Sequence, residues 1–164
     1  MSQSEQKRAE IVAAVARHLV LEGFRNSGLR ALAASVGISD RMIMYYFPTK
    51  EDLVAAALMK VAGDMAESLD RVLPDGRASA SQIVEALVAS GRRPEIQPTL
   101  RLWFEIVGLA MRGEGPYRET ARQILAGWEE WIAARLGSQR AHLAGEVLAR
   151  IEGELMVSLI RDGA

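Results

Sequence analysis

The chain has no cysteine among its 164 residues. This excludes a disulfide framework, a thiolate metal site and a cysteine nucleophile, though it does not decide a compartment. It lacks a charge bias as well. Twenty Lys and Arg face 21 Asp and Glu, for a net charge of −1, a balance that argues against a histone-like or ribosomal basic protein. Long apolar runs are missing too: the longest, Leu53 to Met59, is far short of the ~20 residues that span a bilayer. The opening residues Met1 to Glu10 are polar and charged, with no apolar stretch of signal-peptide length behind them, so a soluble, cytoplasmic protein without a membrane partner is expected. There is no nucleophile elbow, no phosphate loop with its Lys and no metal-spaced set of His, Asp and Glu. His18 falls on the apolar side of the first helical stretch and reads as a packed core residue, and His142 has no partner signature. No catalytic residue, metal or cofactor is therefore expected, and the chain does not read as an enzyme.

What remains is ordinary globular composition, 49% hydrophobic and 25% charged, enough for one substantial core or two small ones. Apolar residues recur at three- and four-residue spacing nearly everywhere. The periodicity predicts helices over Arg8 to Leu21, Gly28 to Val36, Ser39 to Tyr46, and from Thr49 to the turn Pro74-Asp75-Gly76, the last carrying Val72 near its end. Further helices are predicted over Ser81 to Ser90, Pro98 to Met111, Tyr117 to Leu136 and Gln139 to Ile160. Gly23 and Gly37 suit helix ends, Ser27 and Ser39 suit N-caps, and Pro48 disfavours helical geometry at Phe47. Asp52 is a short-armed capping-box acid for Thr49. With no sustained strand alternation and no repeats, the fold class is all-α.

The sharpest pattern lies between Ser27 and Lys50. Two short helices joined by Gly37-Ile38-Ser39 make a helix-turn-helix arrangement, with Leu32, Ala33, Val36, Ile38 and Ile43 facing inward. The second helix is then free to present Asp40, Arg41, Met42, Met44, Tyr45 and Tyr46, and in a DNA-binding unit its first residues reach base edges. Lys50 adds to this. A cation in a first turn opposes the helix dipole, so stability does not select it, yet beside free N-terminal amides it completes a phosphate site. The plain alternative is a solvated Lys. Tyr45 and Tyr46 are helical neighbours and cannot share one core, so one can pack while the other offers its hydroxyl to a phosphate.

Gly23-Phe24, Ser27, Leu32-Ala33, Val36-Gly37-Ile38-Ser39, Ile43, Tyr45, Phe47 and Lys50-Glu51-Asp52-Leu53 resemble the DNA-binding domain of TetR-family transcriptional regulators. The resemblance covers about Arg8 to Leu53. It implies a three-helix DNA-binding domain over residues 1–50 and a helical effector-binding and dimerisation domain over residues 51–164. It also implies repression at a pseudo-palindromic operator, relieved by a small molecule. By position, Ser27 and Tyr45 would touch phosphates, Lys50 would hold one, and Ser39, Asp40, Arg41 and Met42 would enter the groove. Two positions depart from the family pattern. Arg41 stands where Gly is frequent and suits bidentate reading of guanine. Met44 stands where an aromatic is frequent and cannot bond a phosphate. Asp40 is awkward beside DNA: it can cap or favour the helix dipole, or accept from a cytosine amine.

The charge divides accordingly. Residues 1–50 hold seven Lys and Arg against four Asp and Glu, a net of +3, while residues 51–164 carry −4. The basic excess falls where phosphate would be met. In the larger half, Met65, Trp103, Phe104, Val107, Met111 and Trp128 form a cluster of large soft side chains. It is either plain core or a pocket for a small hydrophobic effector. The rows Ala121, Ile124, Trp128, Trp131, Leu136 and Leu143, Val147, Ile151, Leu155, Leu159 would form a homodimer interface through the C-terminal helices, or else close the monomer core. Arg161-Asp162-Gly163-Ala164 comes where many relatives continue into another helix. A helical small-molecule-binding dimer without DNA binding is the alternative reading.

Overall fold

A computed structural model describes residues 2–71 and 76–162. Val72, Pro74 and Asp75, expected near the end of the fourth helix, lie outside the described residues, as do Gly163 and Ala164. The described residues are all-α. Helix α1 (Gln3–Glu22) starts well before the expected Arg8 because Ser2 and Glu5 form a reciprocal capping box. Its stripe Ile11, Val12, Val15, Ala16 and Leu19 is buried, and Gly23, at φ 74°, ends it by donating its amide to the Leu19 carbonyl. A 3-10 turn, Phe24–Asn26, leads to α2 (Leu29–Val36) and α3 (Asp40–Tyr46). Next come α4 (Lys50–Asp70), α5 (Ala80–Gly91), α6 (Gln97–Met111), α7 (Tyr117–Leu136) and α8 (Ala144–Asp162).

The predicted Gln139–Ile160 helix is shorter at its start. Gly137 takes φ 76°, and the 3-10 turn Ala141–Leu143, tied by bonds such as Leu143 N–H to Arg140 O, precedes α8.

Two apolar cores form. The first gathers Ile11, Val15, Leu32, Ile43 and Phe47 from the first three helices with Leu53 and Val54 of α4, and with Leu102, Ile106 and Tyr117. Its packing thus continues without a gap past residue 50. The second joins α5, α7 and α8 through Ile83, Leu87, Ile132, Leu136, Leu148 and Ile151. Trp128 packs against both. Of the C-terminal rows expected at a dimer interface, Ala121, Ile124, Leu136, Val147, Ile151 and Leu155 are buried inside this chain, while Trp128, Trp131, Leu143 and Leu159 are half-buried. The apolar residues α8 leaves exposed are others, namely Met156, Val157 and Ile160.

The last turn of α4 is fastened to α7. Trp131 Nε1 donates to Asp70 Oδ1 at 3.0 Å, Arg135 pairs with the same carboxylate, and the Arg135 guanidinium lies 3.5 Å from the centre of the Trp131 ring. No helix among the described residues is long and apolar enough to cross a membrane.

Candidate nucleic-acid interface and effector cavity

The turn between α2 and α3 is set by Gly37, whose φ of 75° lies in the left-handed region. Its amide and that of Ile38 close the end of α2 on the Ala33 and Ala34 carbonyls. Ser39 then opens α3, its Oγ accepting from the Met42 amide at 3.3 Å. Asp40 occupies the first turn of α3, where a carboxylate favours the dipole, and Ser39 performs the capping.

Ile43 and Phe47 are fully buried, and this pins the orientation of the short helix. Its outer side carries Arg41, Met42, Met44 and Tyr45, all exposed. Tyr45 is 76% exposed, whereas Tyr46 packs against the first core; the two rings meet edge to face at 5.0 Å. Among the described residues Arg41 has no ion-pair partner. Arg8, on α1, stacks its guanidinium 4.6 Å from the Phe47 ring centre.

Lys50 is the first residue of α4. Thr49 caps that helix: its Oγ1 accepts from the Asp52 amide at 3.0 Å, and Asp52 accepts from the Thr49 amide at 3.1 Å. The Lys50 ammonium sits 3.6 Å from the Glu51 carboxylate and remains partly open to solvent. Tyr117, at the start of α7, is buried close by. Burial, and secondarily the Glu51 carboxylate, push its phenol above the ordinary range. The Tyr117 ring meets Phe24 edge to face at 5.1 Å, and the Phe24 amide donates to Glu105 of α6 at 2.9 Å. The segment following α1 is therefore held by the helical body.

Within that body a cavity of about 80 Å³ lies among α4, α5, α6, α7 and α8. Met65, Trp103 and Trp128 line it, together with Leu58, Val61 and Leu87. Two polar side chains reach it, Thr99 and Glu152. Glu152 Oε2 accepts from Trp103 Nε1 at 2.8 Å. Burial raises the Glu152 carboxyl above the ordinary range, a shift that the Trp103 bond opposes more weakly.

Residues 11–57 match the family described as "Bacterial regulatory proteins, tetR family". This segment is a TetR-family domain. The chain as a whole has the fold of solved relatives. A TetR transcription regulator from Haloarcula marismortui ATCC 43049 is 20% identical, with a TM-score of 0.71 over 96% of this chain and 88% of that one. The multidrug binding protein EbrR, complexed with imidazole, is 22% identical, with a TM-score of 0.70 over 96% and 87%. A Saccharomonospora viridis protein in complex with choline is 20% identical, with a TM-score of 0.65 over 97% and 88%. Comparison with curated proteins finds no sequence match.

Within this segment Ser39, Asp40, Arg41, Met42 and Tyr45 are all exposed, and Lys50 is the first residue of the next helix. Ser27 differs from expectation twice over. Gly28, not Ser27, is the N-cap of α2, and Ser27 is only 5% exposed, because the Phe24–Asn26 turn draws it beneath the surface. His18 is not a core residue: it is half-buried, and its Nε2 bonds the Asn26 carbonyl at 3.1 Å, bracing the same turn.

In the body, Phe104, Val107 and Met111 do not line the cavity. The buried row of α6 runs Leu102, Ile106 and Ala110. Phe104 is two residues, about 200°, from Leu102 and packs instead against the second core. Val107 is half-buried outside the cavity, and Met111, in the last turn, is 73% exposed. Glu152 was not among the expected lining residues. Its sequence signal was an acid set between Leu148, Ile151 and Leu155 on the apolar side of α8. Among the described residues, no cluster of His, Asp and Glu is arranged to hold a metal.

Proposed function

We propose that the chain is a sequence-specific DNA-binding transcriptional regulator, a repressor acting in the cytoplasm as a homodimer and released by a small hydrophobic effector. The observation that carries this reading is the outer side of α3. Ile43 and Phe47 are buried behind it, and Arg41, Met42 and Tyr45 are exposed in front, with Lys50 opening the next helix. In this reading Arg41 reads a base, while Tyr45, Ser39 and Lys50 position phosphates. Met42 offers apolar contact, and Asp40 serves the helix. A homodimer presents two such surfaces to a pseudo-palindromic operator. On α8 the exposed Met156, Val157 and Ile160 recur at helical spacing and provide the pairing stripe.

Release would begin at the cavity. Its 80 Å³ is well below the roughly 300 Å³ of a small-molecule site, and below the ~150 Å³ that admits benzene. An effector must therefore part its walls. Met65 belongs to the same helix as Lys50, and Trp103 to the same helix as Glu105, which holds the Phe24 amide. Both walls thus lead to the DNA-binding helices, which is the two-state coupling that a released repressor requires. EbrR with imidazole and the Saccharomonospora viridis protein with choline are relatives holding molecules of this small size.

The test is a gel shift with the chain's own upstream DNA, or a selected random pool, at several salt concentrations. Lys50→Ala should weaken all sequences alike and lower the salt slope by about 1, whereas Arg41→Ala should cost about 1–3 kcal/mol and relax preference at one base pair. Absence of any discrete complex would overturn the regulator reading in favour of a helical small-molecule-binding dimer.

A further inference from the structure

Glu152 is out of place as a purely structural residue. Among the residues that line the cavity it is the one ionisable side chain. Among the described residues no Lys, Arg or His pairs with it. Its bond to Trp103 satisfies the indole N–H, but a neutral Gln would supply the same acceptor without desolvating a charge. The Trp103 bond offsets that desolvation only in part, and among the described residues no cation completes it. A cation arriving from outside would.

The surroundings favour a particular kind of cation. Trp103 and Trp128 both line the cavity, and the faces of indole rings attract a cation electrostatically. Apart from Thr99, the rest of the wall, including Met65, Leu87 and Leu148, is apolar and suits a hydrocarbon body. A strongly hydrated inorganic ion would find too few oxygens here, and an anion would meet the carboxylate. There is also a way in. A surface groove between α1 and α4, lined by Val20, Leu21 and Ile96 and by Arg17 and the Lys60–Asp64 pair, shares Val61, Met65 and Thr99 with the cavity, so these three side chains lie between the two.

We propose that the cavity takes a small organic cation with an apolar body, a quaternary ammonium or protonated amine on an aromatic or branched alkyl group, with Glu152 as its counter-ion. This rests on the effector reading above and narrows it: the effector is charged as well as hydrophobic. The cation contacts Glu152 directly and stacks on the Trp103 and Trp128 indoles, while its apolar body displaces Met65.

Two probes of the same shape separate the cases: phenyltrimethylammonium and its neutral isostere tert-butylbenzene. Each is titrated into the full chain and into Glu152→Gln, with binding read from Trp fluorescence and from the shift in melting temperature. The wild-type chain should prefer the cation by about tenfold or more, and Glu152→Gln should remove that preference while changing tert-butylbenzene affinity by less than about threefold. The wild-type preference is measured independently of the variant, so a folding defect in Glu152→Gln would not hide the answer. Equal binding of the two probes by the wild type, or preference for the neutral one, overturns the cationic assignment and leaves a hydrophobic effector in place. A cation preference that survives Glu152→Gln overturns the role of Glu152. Binding of neither probe overturns the cavity as an effector site together with this proposal.

Discussion

Gly91, in the last turn of α5, offers a measurable test of how the cavity is walled. A β-carbon built there would lie 2.3 Å from Leu155 Cδ2 and 3.1 Å from Leu100 Cδ1, where ordinary contact begins at 3.4 Å. For Gly91→Ala the Leu155 methyl must therefore retreat by about 1 Å, up the steep repulsive side of the contact. Both leucines line the cavity, so the open direction is inward. Overpacking of this kind costs about 1–3 kcal/mol, and the better helix propensity of Ala returns roughly 0.5–1 kcal/mol. The two ranges leave a net loss of up to about 2.5 kcal/mol, centred on about 1 kcal/mol, or roughly 2–4 °C in melting temperature for a chain of this size. Urea denaturation should report the loss as a lower midpoint at unchanged slope. The inward methyl should also weaken phenyltrimethylammonium binding. A substituted chain as stable as the wild type or more so, with probe binding unchanged, would refute the close approach of α5 to α8 and the wall built on it.

Glu152→Gln should also change how stability depends on pH. Burial raises the carboxyl in the folded chain above its ordinary 4.5, so the folded state holds that proton more tightly than the unfolded state does. Wild-type stability then falls as pH rises from about 4.5 through the raised native value. Thermal melts should give Glu152→Gln an advantage above that window and none below it; an advantage independent of pH would show that the carboxylate is not desolvated. Glu105→Ala removes the acceptor of the Phe24 amide, at a cost of about 0.5–1.5 kcal/mol. DNA affinity should change little, but the fold-release by effector should shrink; an unchanged ratio would exclude α6 as a route to the DNA-binding helices.

The local signals for α2, α3 and α4 were strong enough to read directly. Gly37 needed a left-handed turn, Ser39 and Thr49 had amides to cap, and Pro48 held Phe47 extended at φ −131° and ψ 120°. Each of these acts within a few residues, so no long-range knowledge was needed. The cavity was harder because the three-dimensional direction of a helix face depends on which neighbours cover it. Trp103, Phe104, Val107 and Met111 fall within about 100° of one face, yet α6 meets the cavity only with its first half, through Thr99, Leu100, Leu102 and Trp103, and periodicity alone did not reveal this. The C-terminal rows posed the same difficulty. A buried row looks alike whether it meets its own chain or a second copy, and here α5 and α7 cover it. Ser27 shows a third limit: a serine suited to capping was displaced by one residue once the 3-10 turn Phe24–Asn26 shifted the start of α2.

The fastening of Asp70 by Trp131 and Arg135 makes α4 a lever with one fixed end. From Asp70 to Met65 is five residues, about 7.5 Å along the helix, and to Lys50 it is twenty, about 30 Å. If α4 turns about its anchored end, a displacement of 1 Å at the cavity wall becomes about 4 Å at Lys50, beyond the reach of any phosphate bond formed before the turn. That mechanical gain comes from the length of the helix and the site of its anchor, and the shape of the cavity does not enter it. Under the proposed function, substitutions that reshape the wall around Met65 would therefore change which molecule is sensed while leaving the stroke at Lys50 the same.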